Sequence, residues 1–131
     1  MRRFPLLLLL SLACSEPEPA PIPGPLGPPA GMNELQWGEH LYATRGCLAC
    51  HRIDGGGSVG PPLDGLAGRS RSLASGETVV ADADYLHAAI AEPDAAIVEG
   101  YRAGIMPAYA LEPAEMEALL AYLQSLSIRP R

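Results

Sequence analysis

Residues 47–51 read Cys47-Leu48-Ala49-Cys50-His51, and C-x-x-C-H is the attachment sequence for c-type haem. Two thiols three residues apart share one helical turn and can add to the two vinyl groups of a single porphyrin. The histidine that follows turns its imidazole to the iron from the same side. With three cysteines and three histidines in 131 residues, chance yields the pattern in roughly 0.2% of such chains. Two other chemistries fit poorly. A redox-active C-x-x-C wants a thioredoxin-like βαβ setting, and the chain has no run of β-branched strands. A zinc site needs two more ligands, and adjacent Cys50 and His51 do not easily face one tetrahedral ion. The expectation is one covalent haem c on Cys47 and Cys50, with His51 on the metal.

An axial histidine leaves a second axial position to fill. Met106 lies in Gly104-Ile105-Met106-Pro107-Ala108-Tyr109, 55 residues after His51. Pro107 biases Met106 away from helical geometry, so a loop can bring the thioether to iron. The other donors are less suited. Met116 falls on an apolar helical stripe, Met32 borders a proline-rich run, His40 shares the attachment helix, and His87 is offset from the apolar face of its own helix. A His51/Met106 pair favours ferrous iron and raises the potential. It also leaves no open coordination site, which argues for electron transfer and against catalysis.

Three helical stretches must position these residues. The first is expected over 34–47, with Leu35, Gly38, Leu41 and Tyr42 at spacings of three and four. Gly38 costs a helix about 1 kcal/mol against alanine, so it is read as a close contact with another helix. The second is expected over 82–91, with Asp82 as N-cap, Leu86 and Ile90 on one face, and Pro93 as the stop. The third is expected over 113–126, with Pro113 at its first position and Met116, Leu119, Leu120, Leu123 and Leu126 as one stripe. Residues 54–69 are glycine- and proline-rich and read as a long loop wrapping the cofactor edge. Residues 73–80 suggest a small hairpin around Ser75-Gly76.

The N-terminus reads as a targeting segment. Arg2 and Arg3 precede an apolar run over 4–13 that is far too short to span a bilayer. It ends in Ser11-Leu12-Ala13-Cys14-Ser15, which resembles the lipobox of bacterial lipoproteins, although Ser11 stands where Leu, Val or Ile is usual. Residues 1–13 are therefore expected to be a lipoprotein signal peptide and Cys14 the lipidated residue. Ordinary cleavage with Cys14 left as an odd thiol is the alternative. Residues 14–32 form a stalk whose seven prolines over 16–31 keep it extended, reaching at most about 50 Å. Residues 33–131 then make one domain, long enough for a single core.

Charge narrows the partners. The chain has 15 acidic and 9 basic residues, every basic one arginine. Loss of Arg2 and Arg3 with the leader leaves seven arginines, a net of −8. That argues against nucleic acid, and the lack of lysine argues against docking through a lysine-rich rim.

The ordered set Cys47-x-x-Cys50-His51, Gly60-Pro61-Pro62-Leu63-x-Gly65-Leu66-x-Gly68-Arg69, Met106-Pro107-x-Tyr109 and Leu119-x-Ala121-Tyr122-Leu123 resembles class I cytochromes c across essentially the whole domain. The stretches at 38–47, 73–79, 97–101 and 106–109 look closer still to the C-terminal haem domain of subunit II in cytochrome-c-linked haem–copper oxidases. Here a lipobox and stalk stand in place of a transmembrane hairpin and copper domain. The resemblance implies a small all-α fold, three main helices and loops around one haem. It implies that the Pro61 carbonyl accepts a hydrogen bond from His51, that Arg69 lies near a haem propionate, and that Leu63, Leu86 and Ile90 line the porphyrin. The Gly38/Tyr42 face would cross the Leu119/Tyr122 face. The function expected is a monomeric, lipid-anchored electron carrier at the bacterial periplasmic membrane surface. It would take electrons from a quinol-oxidising complex and pass them to a terminal oxidase or another reductase. The alternatives are a fixed haem subunit of a respiratory complex, and a haem enzyme or gas sensor whose Met106 bond is labile.

Overall fold

A computed structural model describes residues 27–56 and 58–126. The leader expected at 1–13, Cys14 and most of the stalk at 14–32 lie outside the described residues. Helix α1 spans Glu34–Thr44, and a capping box starts it. The Asn33 side chain accepts from the Gln36 amide at 2.9 Å, and the Gln36 side chain accepts from the Asn33 amide at 3.0 Å. The helix stops three residues short of the expected 47. Gly46 takes a left-handed φ of 84°, which reorients the chain before a four-residue helix, α2, over Cys47–Cys50. The attachment cysteines thus sit on a separate turn, not on the end of α1.

Helix α3, Ala83–Ala91, is capped by the Asp82 side chain, which accepts from the Tyr85 amide at 2.9 Å, and it buries Leu86 and Ile90. Helix α4, Pro113–Ser125, has proline in its first turn and buries Met116, Leu119, Tyr122 and Leu123, while Leu120 is half-buried. Glu115 is the one buried charged residue among those described. Its carboxylate accepts from the Glu112 amide at 3.2 Å and from Arg45 at 2.5 Å, so both oxygens are satisfied.

Helices α1 and α4 cross where Gly38 meets Ala118. A Cβ on Gly38 would stand 2.0 Å from the Ala118 carbonyl oxygen and 2.8 Å from Tyr122 Cβ. The rings of Tyr42 and Tyr122 pack beside this crossing at 5.5 Å between centroids. Leu35, expected on the inward stripe, is 46% exposed, and Trp37 takes its place. At 100° per residue, 37, 38, 41 and 42 make one face, and Leu35 falls roughly 90° from its centre.

The expected hairpin exists but begins earlier. Strands β1, Ser70–Ser72, and β2, Thr78–Val80, pair antiparallel with Arg71 opposite Val79. Leu73 has left the strand for the core and bridges to Val98. Bonds from the Ala74 amide to the Ile97 carbonyl, 2.8 Å, and from the Glu99 amide to the Ser72 carbonyl, 2.9 Å, tie the hairpin to the chain after α3. Residues 54–56 and 58–69 belong to the long loop. No helix among the described residues is long and apolar enough to cross a membrane.

The Gly38 contact yields a direct test. Gly38→Ala forces a methyl into backbone and should destabilise the domain by about 3 kcal/mol, the upper end for overpacking. Urea unfolding of the two proteins measures the difference, and an unchanged midpoint would refute the close crossing.

Candidate cofactor site

His51 is held at three points. Its amide donates to the Cys47 carbonyl at 2.9 Å, which closes the α2 turn. Its carbonyl accepts from the Tyr42 hydroxyl at 2.5 Å. Its ring Nδ1 lies 2.8 Å from the Pro61 carbonyl oxygen. A carbonyl can only accept, so Nδ1 carries the proton and Nε2 keeps its lone pair for a metal. The loop that supplies Pro61 is laced to the chain around the histidine: the Gly60 amide donates to the Cys50 carbonyl at 2.9 Å and the Leu63 amide to the Arg52 carbonyl at 2.8 Å. Gly60 is required by space, since a Cβ there would stand 2.6 Å from His51 Cε1.

Cys47, Cys50 and His51 open onto a cavity of about 1260 Å³, solvent at its mouth included. Both cysteines are half-buried and unpaired. Leu63, Leu86 and Ile90 line the cavity, and so does Met106. The segment bearing Met106 is pinned on either side of it. The Gly104 amide donates to the Asp94 carboxylate at 2.8 Å, the Tyr109 amide to the Ile90 carbonyl at 3.3 Å, and the Tyr109 hydroxyl to the Arg45 carbonyl at 3.1 Å. The other sulfur and imidazole donors are elsewhere. Met116 is buried in the core of α4 and off the cavity wall, Met32 is exposed, and His40 and His87 lie on the surface. Among the described residues, no group of three or more His, Cys, Asp or Glu could hold a metal ion.

Arg69 is not among the residues brought to the cavity wall. It is exposed and off the cavity wall, with its guanidinium over Gly65; a Cβ built there would lie 3.7 Å from Arg69 Cζ. The reason is local. Arg69 closes a turn through its amide bond to the Leu66 carbonyl, 3.1 Å, before β1 begins. Three other arginines among the described residues, Arg45, Arg71 and Arg102, line the wall, and Arg71 is on the inward side of β1. The parity of the hairpin was the signal for it: residues 71 and 79 face inward, while 70, 72, 78 and 80 are exposed. Tyr42 and Tyr109 also acquire roles that the sequence reading did not assign, the one on the His51 carbonyl and the other beside Met106.

Among the described residues, no Asp or Glu lines the cavity wall, although the chain is acidic overall. Burial pushes the Cys47 thiol up, against smaller downward pulls from a backbone hydrogen bond and Arg45. This favours the thiol over the thiolate. Burial likewise raises the Tyr42, Tyr85 and Tyr109 phenols, with Arg71 opposing the shift at Tyr85.

Two thiols and a metal-ready imidazole, an apolar wall and a thioether from a distant segment suit a c-type haem by donor chemistry alone. The fold and this site define a small class I c-type domain. Residues 35–127 match the family model described as Cytochrome c, and the chain belongs to that family. Covalent haem c and haem-based electron transfer follow from that membership, with Cys47 and Cys50 in the attachment motif. No curated protein matches the chain.

Tyr42 offers a test with a defined pH sign. Tyr42→Phe leaves the His51 carbonyl without its donor and should cost about 1–3 kcal/mol. The folded phenol ionises above its ordinary 10.0, so its contribution is fully present below pH 10 and is lost as pH climbs through the raised value. Urea midpoints on either side of pH 10 should fall more steeply for wild type than for Tyr42→Phe, and parallel slopes would count against the buried phenol.

Proposed function

We propose that this chain is a monohaem, non-enzymatic electron carrier with His51 and Met106 as axial ligands. The observation that carries the reading is that both side chains, 55 residues apart in sequence, line the same cavity as the two attachment cysteines. When bound, the haem supplies a one-electron couple near the protein surface. The chain's own residues do the rest. His51 is oriented by Pro61, and the bond to that carbonyl makes the ring a stronger donor. Met106 offers a neutral thioether that favours the reduced state. Leu63, Leu86 and Ile90 exclude water, and Val59 and Ile105, both exposed on the wall, give the mouth an apolar border.

The setting we propose is the bacterial periplasm. Cys14 is lipidated, the proline-rich stalk holds the domain off the membrane, and electrons pass from a quinol-oxidising complex to a terminal oxidase. The lipobox-like Leu12-Ala13-Cys14 supports the anchor. The resemblance of 73–79 and 97–101 to oxidase subunit II supports the acceptor, and these two stretches pack against each other through the Leu73–Val98 bridge.

Visible spectra test the ligands. Wild type should be low-spin in both redox states, show the methionine–iron charge-transfer band when ferric, and bind no carbon monoxide when ferrous. Met106→Ala should lose the band, bind carbon monoxide and show a lower potential. A wild type that takes up carbon monoxide promptly would replace the carrier with a haem enzyme or sensor. For the anchor, Cys14→Ser should move the protein from the membrane to the soluble fraction, and retention on the membrane would refute lipidation at Cys14.

A further inference from the structure

Pro61 and Pro62 have no amide hydrogens, so the loop that orients His51 cannot be secured through its central amides. Its flanking bonds, Gly60 to Cys50 and Leu63 to Arg52, run back to the same short stretch that carries the histidine. Those bonds keep loop and histidine together, but they do not fix either against the rest of the domain. A tie to a separate element comes from Arg71, whose Nη2 donates to the Pro62 carbonyl at 2.8 Å in a part-buried setting. We propose that Arg71 is a positioning residue for His51, acting through the Pro61-Pro62 loop.

The coupling follows from the torsions between two neighbouring carbonyls. The Pro62 ring locks its own φ, so the Pro61 and Pro62 carbonyls differ in direction by little more than one free angle, the Pro62 ψ. Holding the second carbonyl restricts that angle and aims the first, which receives the His51 Nδ1 proton at 2.8 Å. Arg71 is suited to this task. A cationic donor makes a stronger bond to a carbonyl than a neutral one does, and its guanidinium is a preorganised fork. Its backbone is fixed too. Arg71 pairs with Val79, and β1 is framed by the Ala81 amide on the Arg69 carbonyl, 2.8 Å, and the Glu99 amide on the Ser72 carbonyl, 2.9 Å. The hairpin, which has no metal donor of its own, thereby sets the orientation and basicity of the imidazole.

The inference rests on His51 being an axial ligand, and the test separates the two claims. Proton NMR of the ferrous holoprotein follows exchange of the His51 Nδ1 hydrogen with solvent. Arg71→Met should speed that exchange at least tenfold, and Arg71→Gln, which loses the charge but keeps an N–H for Pro62, should restore part of the protection. Arg69→Met, altering an exposed side chain off the cavity, should match wild type. Exchange in Arg71→Met within twofold of wild type would overturn the role of Arg71. If Arg71→Met does not accumulate, Arg71→Gln and Arg71→Lys serve in its place, and exchange rates in both equal to wild type and insensitive to the donor at 71 would overturn it equally. A wild type in which His51 carries no haem-shifted resonance would instead overturn the ligand assignment beneath it.

Discussion

An imidazole can serve a metal only if one nitrogen keeps its lone pair and faces the right way, and here both conditions rest on one backbone carbonyl. The acceptor at Pro61 commits the ring proton to Nδ1 and so leaves Nε2 free. Much of the surrounding structure bears on keeping that carbonyl in place. Gly60 has no side chain because the ring occupies the space where one would be. The two prolines lose nothing by lacking amides at a point where no donor is called for. The loop ends are stitched to residues 50 and 52, so His51 sits inside a clasp of its own neighbours.

The helical frame serves the same end from the other direction. Close approach of α1 and α4 at Gly38 and Ala118 brings Tyr42 onto Tyr122 and leaves its hydroxyl on the His51 carbonyl. Moving the crossing apart would shift that hydroxyl off a part-buried acceptor, so helix packing and the placement of His51 are one constraint. Arg45 joins them again: its side chain meets Glu115 on α4, and its carbonyl takes the Tyr109 hydroxyl from the Met106 loop. First helix, last helix and methionine loop therefore converge on Arg45, two residues before the attachment turn.

The attachment motif was legible in the sequence because it restricts residue types at fixed spacings. Cys47, Cys50 and His51 fill that motif, and Met106, picked out by its loop and spacing, lines the same cavity. The helix over 113–126 was legible because its apolar period runs uninterrupted behind a proline start. What stayed hidden depends on side-chain direction at element ends. Periodicity placed Leu35 inside and passed over Trp37, because a stripe has no sharp edge until a partner helix fixes its centre. The run over 34–47 looked like one helix, since a glycine in a helical pattern does not announce a left-handed φ. Arg69 and Arg71 differ only in lying before or within a strand whose start, three residues earlier than expected, the sequence marked poorly. The contacts of Tyr42 and Tyr109 span 9 and 64 residues, beyond any local pattern.

The two candidate axial residues are held very unequally, and the difference bears on what the domain can do. His51 is restrained through its own amide, its own carbonyl and its ring. Met106 is restrained at a distance, by bonds at Gly104 and Tyr109 that leave its own torsions to packing. A thioether has no proton to anchor and accepts hydrogen bonds weakly, so no partner equivalent to Pro61 is open to it. Any lability in the pair therefore belongs to the methionine side. Tyr109 is the residue best placed to limit it, because its amide and hydroxyl join the loop to α3 and to the end of α1 together. A carrier needs that loop closed through every redox cycle, whereas an enzyme or sensor needs it to open. The double tie at Tyr109 favours closure, and it sits three residues from the sulfur, where loss of either bond would be felt first.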